Sequence, residues 1–192
     1  MPSKASVASG PPTNILVLYG TTEGQTRKIA RFVADRLTAR GHEAKLVDAA
    51  EAEAELDPRA FGAAVIAASL HTGHYQSAVV DFVRRHHDAL DVMPTAFVSV
   101  SLSAASHDAD DLDGLTRRVT EFEHRTQWTP REIHHAAGAF RFSQYDFLKR
   151  WALKYIAYRK GQPTDTSRDY ELTGWDALGA FVDGFAAKLT VE

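Results

Sequence analysis

Three threonines, Thr21, Thr22 and Thr26, stand within the stretch Gly20-Thr21-Thr22-Glu23-Gly24-Gln25-Thr26, directly after the apolar run Ile15-Leu16-Val17-Leu18-Tyr19. Small residues and hydroxyls in this arrangement suit the holding of an anion by neutral donors. Beyond Thr26, Ile29, Val33 and Leu37, with Ala30 and Ala34 beside them, recur at helical spacing up to Arg40, and Gly41 supplies a C-terminal stop. The segment therefore reads as strand, loop and helix. A phosphate placed in the loop meets free amides at the positive end of the helix, together with the threonine hydroxyls.

What the loop lacks narrows the anion. A triphosphate-binding loop carries Gly-Lys-Ser/Thr after its glycines, and there is no such lysine here. A dinucleotide loop needs three glycines in Gly-x-Gly-x-x-Gly spacing, whereas only Gly20 and Gly24 are present. A hydroxyl-rich cradle for a phosphate monoester remains. It resembles the Ser/Thr-x-Thr-Gly-Asn-Thr loop of flavodoxins, with Glu23 and Gln25 as variants. The motif alone also fits an ordinary strand-to-helix turn with threonine caps.

Further along, Ala44 to Val47 is a short apolar run, followed by an acidic, alanine-rich weak helix or loop from Asp48 to Glu55. Ala63 to Ala68 is continuously apolar, the mark of a strand covered on both faces, and ends at Ser69-Leu70-His71-Thr72-Gly73-His74-Tyr75. Val79, Phe82, Val83 and Leu90 mark a helix from Ser77 to Leu90. Pro94 opens a fourth strand, Thr95 to Val100, followed by a polar loop with Asp108, Asp110, Asp111 and Asp113. Leu112, Leu115, Val119 and Phe122 give another helix, and a fifth strand runs from about Ile133 to Phe142. The last helix is marked by Leu178, Phe181, Val182, Phe185 and Leu189, with Thr173 placed to cap it.

This alternation predicts an α/β fold, a doubly wound five-stranded parallel sheet with helices on both faces, and the flavodoxin resemblance of the first loop implies the flavodoxin-like order 2-1-3-4-5. In that order the loop 20–26 faces the loop 69–75, and the segment Ser101-Leu102-Ser103 completes a three-sided pocket. A flavin mononucleotide, FMN, fits such a pocket. Thr21, Thr22, Glu23, Gly24, Gln25 and Thr26 take its phosphate, while Ser69, Leu70, His71, Thr72, Gly73, Tyr75, Ser101, Leu102 and Ser103 surround its ring. Tyr75 fits equally well as a core residue. His71 and His74 are the weak catalytic candidates, as proton relays near the ring, and each fits a loop hydrogen-bonding role as well. His107, His86-His87 and His134-His135 lack a metal-ligand spacing.

Composition sets the outer limits. A chain of 192 residues buries roughly 70% of its unfolded surface without covalent help. Cysteine is absent, which excludes disulfides, iron–sulfur clusters and thiolate chemistry, so redox work requires a borrowed cofactor. A net charge of −3 gives no basic field for nucleic acid. Residues 1–13 read as a disordered tail without a secretion signal, and residues 14–192 as one domain. No run approaches the ~20 apolar residues of a membrane span, so a cytoplasmic location is expected.

Residues 142–172 exceed a normal connection and form an insertion. Within it Phe147, Trp151, Tyr155 and Tyr158 fall on one helical face, with Lys149, Arg150, Lys154, Arg159 and Lys160 around them. Such a helix either packs its stripe on the domain or offers a platform to a flat anionic substrate or an acidic membrane surface.

Taken together, these stretches resemble the menaquinone-dependent protoporphyrinogen oxidases of the flavodoxin superfamily. The resemblance rests on Gly24-Gln25-Thr26-Arg27, Ala68-Ser69, Gly73-His74-Tyr75, Ser77-Ala78, Met93-Pro94, Ala96-Phe97, Gln127-Trp128 with Pro130, and Ala137-Gly138-Ala139. It continues through the insertion to Gly161, Thr164-Asp165-Thr166 and Trp175. It implies FMN-dependent oxidation of protoporphyrinogen IX in haem biosynthesis, with electrons passed to menaquinone or ubiquinone. A membrane quinone agrees with the functional reading of the insertion helix, in which Phe147, Arg150, Trp151, Lys154, Tyr155 and Tyr158 dock substrate or membrane and the protein makes peripheral contact with the inner membrane. Two departures stand out: His71 and Thr72 replace a basic residue and an aromatic, and the loop after the fourth strand is acidic. An electron-transfer flavodoxin, an NAD(P)H-dependent quinone or flavin reductase and a flavin-free interaction module are the alternatives. Oligomeric state is not legible.

Overall fold

The computed structural model describes residues 11–105, 109–140 and 170–189. Strand β1 (Asn14–Gly20) enters helix α1 (Gln25–Ala39) and returns as β2 (Glu43–Asp48). After a 3-10 turn at Pro58–Ala60 come β3 (Ala63–His71), the short β4 (His74–Tyr75), α2 (Ser77–Asp91) and β5 (Thr95–Ser101). A second 3-10 turn, Ser103–Ala105, leads to α3 (Ala109–Thr126), β6 (Glu132–Ala137), β7 (Ala139–Phe140), β8 (Tyr170–Glu171) and α4 (Trp175–Leu189).

The five long strands lie parallel in the order β2-β1-β3-β5-β6, which is the expected 2-1-3-4-5 path when only the long strands are counted. The described residues add two short pairings. β4 folds back antiparallel on the end of β3, and β7 pairs with β8 in a separate two-stranded ribbon. The sheet proper thus has six strands against the expected five. Asp48 ends β2, residues 49–55 hold turns and no helix, and Asp57 caps the first 3-10 turn by accepting from the Arg59 amide at 2.9 Å.

Continuous apolar strands are required because both faces are covered. On one face α1 and α4 pack Ile29, Ala30, Val33, Leu178, Val182 and Phe185 against Ile15, Val17, Val65 and Val98. On the other, α2 and α3 bring Val79, Val83, Val119 and Phe122 against Leu16, Leu18, Ile66 and Phe97. Phe97 and Phe122 stack at 4.8 Å beside Trp128, which is fully buried. Each such side chain contributes about 1.5–3 kcal/mol by leaving water. A bidentate pair from Arg36 to Asp183, at 2.8 and 2.7 Å, with Arg40 on the same carboxylate, joins α1 to α4.

Three local expectations need correcting. The fifth strand does not run to Phe142: it stops at Ala137, because the Gly138 amide still bonds to Ser101 O at 3.0 Å while its carbonyl turns to the Leu172 amide at 3.2 Å. Asp110, Asp111 and Asp113 lie in the first turns of α3 and not in a loop, where the helix dipole favours their charge. Thr173 is not a side-chain cap for α4, since its hydroxyl donates to Ala137 O at 2.8 Å and accepts from Gln25 Nε2 at 2.9 Å.

Candidate functional site: a cleft at the carboxyl ends of the strands

Three connections converge where β1, β3 and β5 end, at the point where the strand order reverses, and they enclose a cleft of about 250 Å³. Its walls are Thr21 to Glu23, Gln25 and Thr26 from the first loop, Ser69 to Gly73 from the second, and Val100 to Ser103 with Gly138 from the third.

The first loop is built by local hydrogen bonding. Thr21 Oγ1 accepts from the Gly24 amide at 2.9 Å, closing a tight turn that Gly24 leaves with φ +90°, a conformation glycine adopts without penalty. The first backbone bond entering α1 runs from Lys28 N to Gly24 O, so the amides of Gln25, Thr26 and Arg27 precede the helical ladder. Beside them Thr26 is 1% exposed, and its Oγ1 is buried with no hydrogen-bond partner among the described residues. A buried hydroxyl without a partner costs about 1–3 kcal/mol. That orphan, at the positive end of a fifteen-residue helix, is the donor set a phosphate ester requires.

In the second loop Thr72 and Gly73 connect β3 to β4 with φ +48° and +85°, a two-residue hairpin of the type that needs both central residues left-handed. A β-branched residue at positive φ is an outlier, and such strain tends to collect at functional sites. Leu70 and His71 line the cleft and are half-buried, while His74, on the strand opposite His71, is exposed and outside it. In the third loop Ser101 Oγ accepts from the Ala104 amide at 3.2 Å, which turns the chain and presents Leu102 and Ser103.

Of the residues expected at the cofactor, all line the cleft except Gly24 and Tyr75. Gly24 shapes the turn from behind. Tyr75 belongs to the core: it is 7% exposed, bonds to Ser99 Oγ at 2.8 Å and packs edge-on against Phe97 and Phe122. Burial pushes its hydroxyl up to about 12, against the lowering effect of the Ser99 bond. Sequence reasoning missed Val100 and Gly138. The Ala137-Gly138-Ala139 run was the available signal for the latter, because a glycine between two short strands marks where the chain leaves the sheet.

Beside the cleft, the start of α1 is tied to the approach to α4. Gln25 Nε2 donates to Thr173 and, at 3.2 Å, to Glu171, and Lys28 Nζ meets Glu171 at 2.6 Å. Burial alone raises the Glu171 carboxyl, but the hydrogen bonds from Lys28 and Gln25 outweigh it and hold that group below its ordinary range. Asp110, Asp111 and Asp113 do not line the cleft. Phe147, Arg150, Trp151, Lys154, Tyr155 and Tyr158 lie outside the described residues, as do His107 and Asp108. Among the described residues no helix is long and apolar enough to cross a membrane.

Comparison with known proteins places this geometry. Residues 16–167 match the model of the flavodoxin domain. The protoporphyrinogen IX dehydrogenase [quinone] of Escherichia coli K12 is 33% identical over 168 residues, covering 86% of this chain and 91% of that protein. The protein of the same name from Leishmania major is 31% identical over 177 residues, covering 90% of this chain and 74% of its own. Among solved structures, a short-chain flavodoxin associated with a bacterial microcompartment superposes with TM-score 0.57 at 13% identity, covering 92% of this chain and 98% of its own. That likeness speaks for the fold alone. The chain belongs to the flavodoxin-domain family, together with the quinone-type protoporphyrinogen IX dehydrogenases.

Proposed function

We propose that this protein is an FMN-dependent oxidoreductase that converts protoporphyrinogen IX to protoporphyrin IX and passes the electrons to a quinone. The observation that carries the reading is the phosphate cradle: a buried, partnerless Thr26 Oγ1 and the leading amides of α1, set in a cleft at the switch point of the sheet. The names of the two relatives supply the substrate and the acceptor class.

When bound, FMN supplies the electron acceptor and donor in its ring system. The chain does the rest. Thr21, Thr22 and Thr26 hold the phosphate with neutral donors, so no lysine is needed to neutralise it. Leu70 and Leu102 give the ring apolar walls, and Ser69, Ser101 and Ser103 give it polar edges. Among the described residues His71 is the one histidine lining the cleft, and it is the group placed to accept a proton as the macrocycle loses hydrogen.

The ribbon of β7 and β8 leaves and rejoins the domain at Gly138 and Leu172, beside Ser101 at the rim of the cleft. On the sequence pattern, Phe147, Arg150, Trp151, Lys154, Tyr155 and Tyr158 receive the macrocycle or an acidic membrane surface, where menaquinone or ubiquinone is reached. The acidic start of α3 is compatible with an anionic substrate because its carboxylates stand outside the cleft.

The test is anaerobic. Protein loaded with FMN is mixed with protoporphyrinogen IX, and the flavin absorption is followed. Bleaching that a soluble quinone then reverses is the expected result. Flavin that stays oxidised with porphyrinogen but bleaches with NADH, NADPH or a reduced protein partner assigns the protein to a different reaction.

A further inference from the structure

Gln76 precedes α2 and takes part in neither the core nor the cleft wall, yet its amide touches two of the three loops. Its Oε1 accepts from the Ser69 amide at 3.1 Å, and its Nε2 donates to Thr22 Oγ1 at 3.2 Å and to Ser69 Oγ. The orientation of this amide is forced. Ser69 N–H can only donate, so the atom facing it must be the carbonyl oxygen, and the NH₂ group must face the two hydroxyls. A hydroxyl that accepts on its lone pair has its single proton left to give elsewhere. Gly20 makes the approach of α2 possible, since a Cβ there would stand 2.5 Å from Val79 Cγ2 and 3.2 Å from Gln76 Cβ.

We infer that Gln76, anchored on Ser69, is a positioning residue that turns the Thr22 hydroxyl into a donor toward the cleft, and so selects a ligand bearing a phosphate ester. The inference rests on the FMN reading of the site and deepens it: a dephosphorylated flavin loses the benefit. Removing the NH₂ group frees the Thr22 hydroxyl to rotate and spend its proton on protein or water. Binding of the charged acceptor then drops, while the walls of the cleft stay as they were.

The experiment is a double-mutant cycle on the full-length apoprotein, with Gln76→Met, Thr22→Val and the pair, titrated with FMN and with riboflavin by quenching of flavin fluorescence. Each single change is expected to weaken FMN by about tenfold or more and riboflavin by less than about twofold. The double variant should fall short of the product of the two losses by about threefold or more. A melting curve for each apoprotein checks the fold. Should Gln76→Met not fold, Gln76→Glu keeps the acceptor for Ser69 N and replaces the donor. In the Thr22→Val background its charge and its altered contact with Ser69 act without the Thr22 hydroxyl, so the cycle isolates that hydroxyl. Losses that multiply, or that are equal for FMN and riboflavin, overturn the role of Gln76 while leaving the FMN site standing. A wild-type protein that binds neither flavin overturns both.

Discussion

Replacing Thr26 by valine should stabilise the empty protein and weaken its hold on FMN, two effects of opposite sign from one atom. Valine keeps the branched shape and removes a hydroxyl that is buried and has no partner. Burial of such a group costs about 1–3 kcal/mol, and helix propensities of the two residues are close, so a gain of about 1 kcal/mol is expected in the apoprotein. For a chain of this size that corresponds to a rise of about 2–4 °C in melting temperature. With FMN, the same change removes a hydrogen bond to a charged phosphate, worth about 1.5–3 kcal/mol, or a loss of about 10- to 150-fold in affinity. Because ligand stabilisation follows the logarithm of concentration over Kd, a tenfold weaker Kd lowers the melting point of the saturated protein by the equivalent of about 1.4 kcal/mol. The order of the two melting curves should therefore reverse when FMN is added. Calorimetry with and without FMN reads both numbers. An apoprotein made less stable by the change, or an unchanged affinity, refutes the assignment of the orphan hydroxyl to the phosphate.

Other outcomes follow from the same geometry. Thr72→Asn, at φ +48°, should stabilise the protein by about 1 kcal/mol in a denaturant titration, because asparagine tolerates the left-handed region better than a β-branched residue. Gly20→Ala should destabilise by about 1–3 kcal/mol through the clash with Val79 and should also reduce FMN affinity by displacing Gln76. Asp183 is held down to about 2, chiefly by the Arg36 hydrogen bond acting against burial, with Arg40 adding to it. A depressed carboxyl contributes stability above its unfolded value of 3.8 that is lost as pH falls toward 2. Wild type and Asp183→Asn should differ at pH 5 and converge near pH 2 in denaturant midpoints.

The parts of the fold readable from sequence are those written in local patterns. The Ile15 to Tyr19 run, the Ile29, Val33 and Leu37 stripe and the apolar block from Ala63 to Ala68 name their elements, alternation of strand and helix gives the parallel sheet, and the resemblance of the first loop to flavodoxins gave the long-strand order. The Thr21 to Thr26 wall of the cleft was legible because its residues follow one another in the chain. What escaped depends on partners far along the chain. Thr173 looks like a cap until Ala137 and Gln25, 36 and 148 residues away, take its hydroxyl. Gln76 gives no local hint of its contact with Thr22, 54 residues distant. Tyr75 sits next to the ring loop in sequence, yet strand pleating turns it toward Phe97 and Phe122. The Thr72-Gly73 hairpin was visible in principle, since glycine follows a short polar residue between two histidines, but a two-residue strand leaves no periodicity to detect.

The double arginine clamp on Asp183 has a consequence for the order in which the polypeptide matures. Helix α1 emerges from a ribosome well before α4, yet Ile29, Ala30 and Val33 share one apolar layer with Leu178, Val182 and Phe185. A nascent chain that has not yet produced Asp183 leaves Arg36 and Arg40 without that carboxylate and the part of the sheet face that α4 covers open to water. Completion of that layer, and with it the support beneath the cleft, therefore waits for translation of α4.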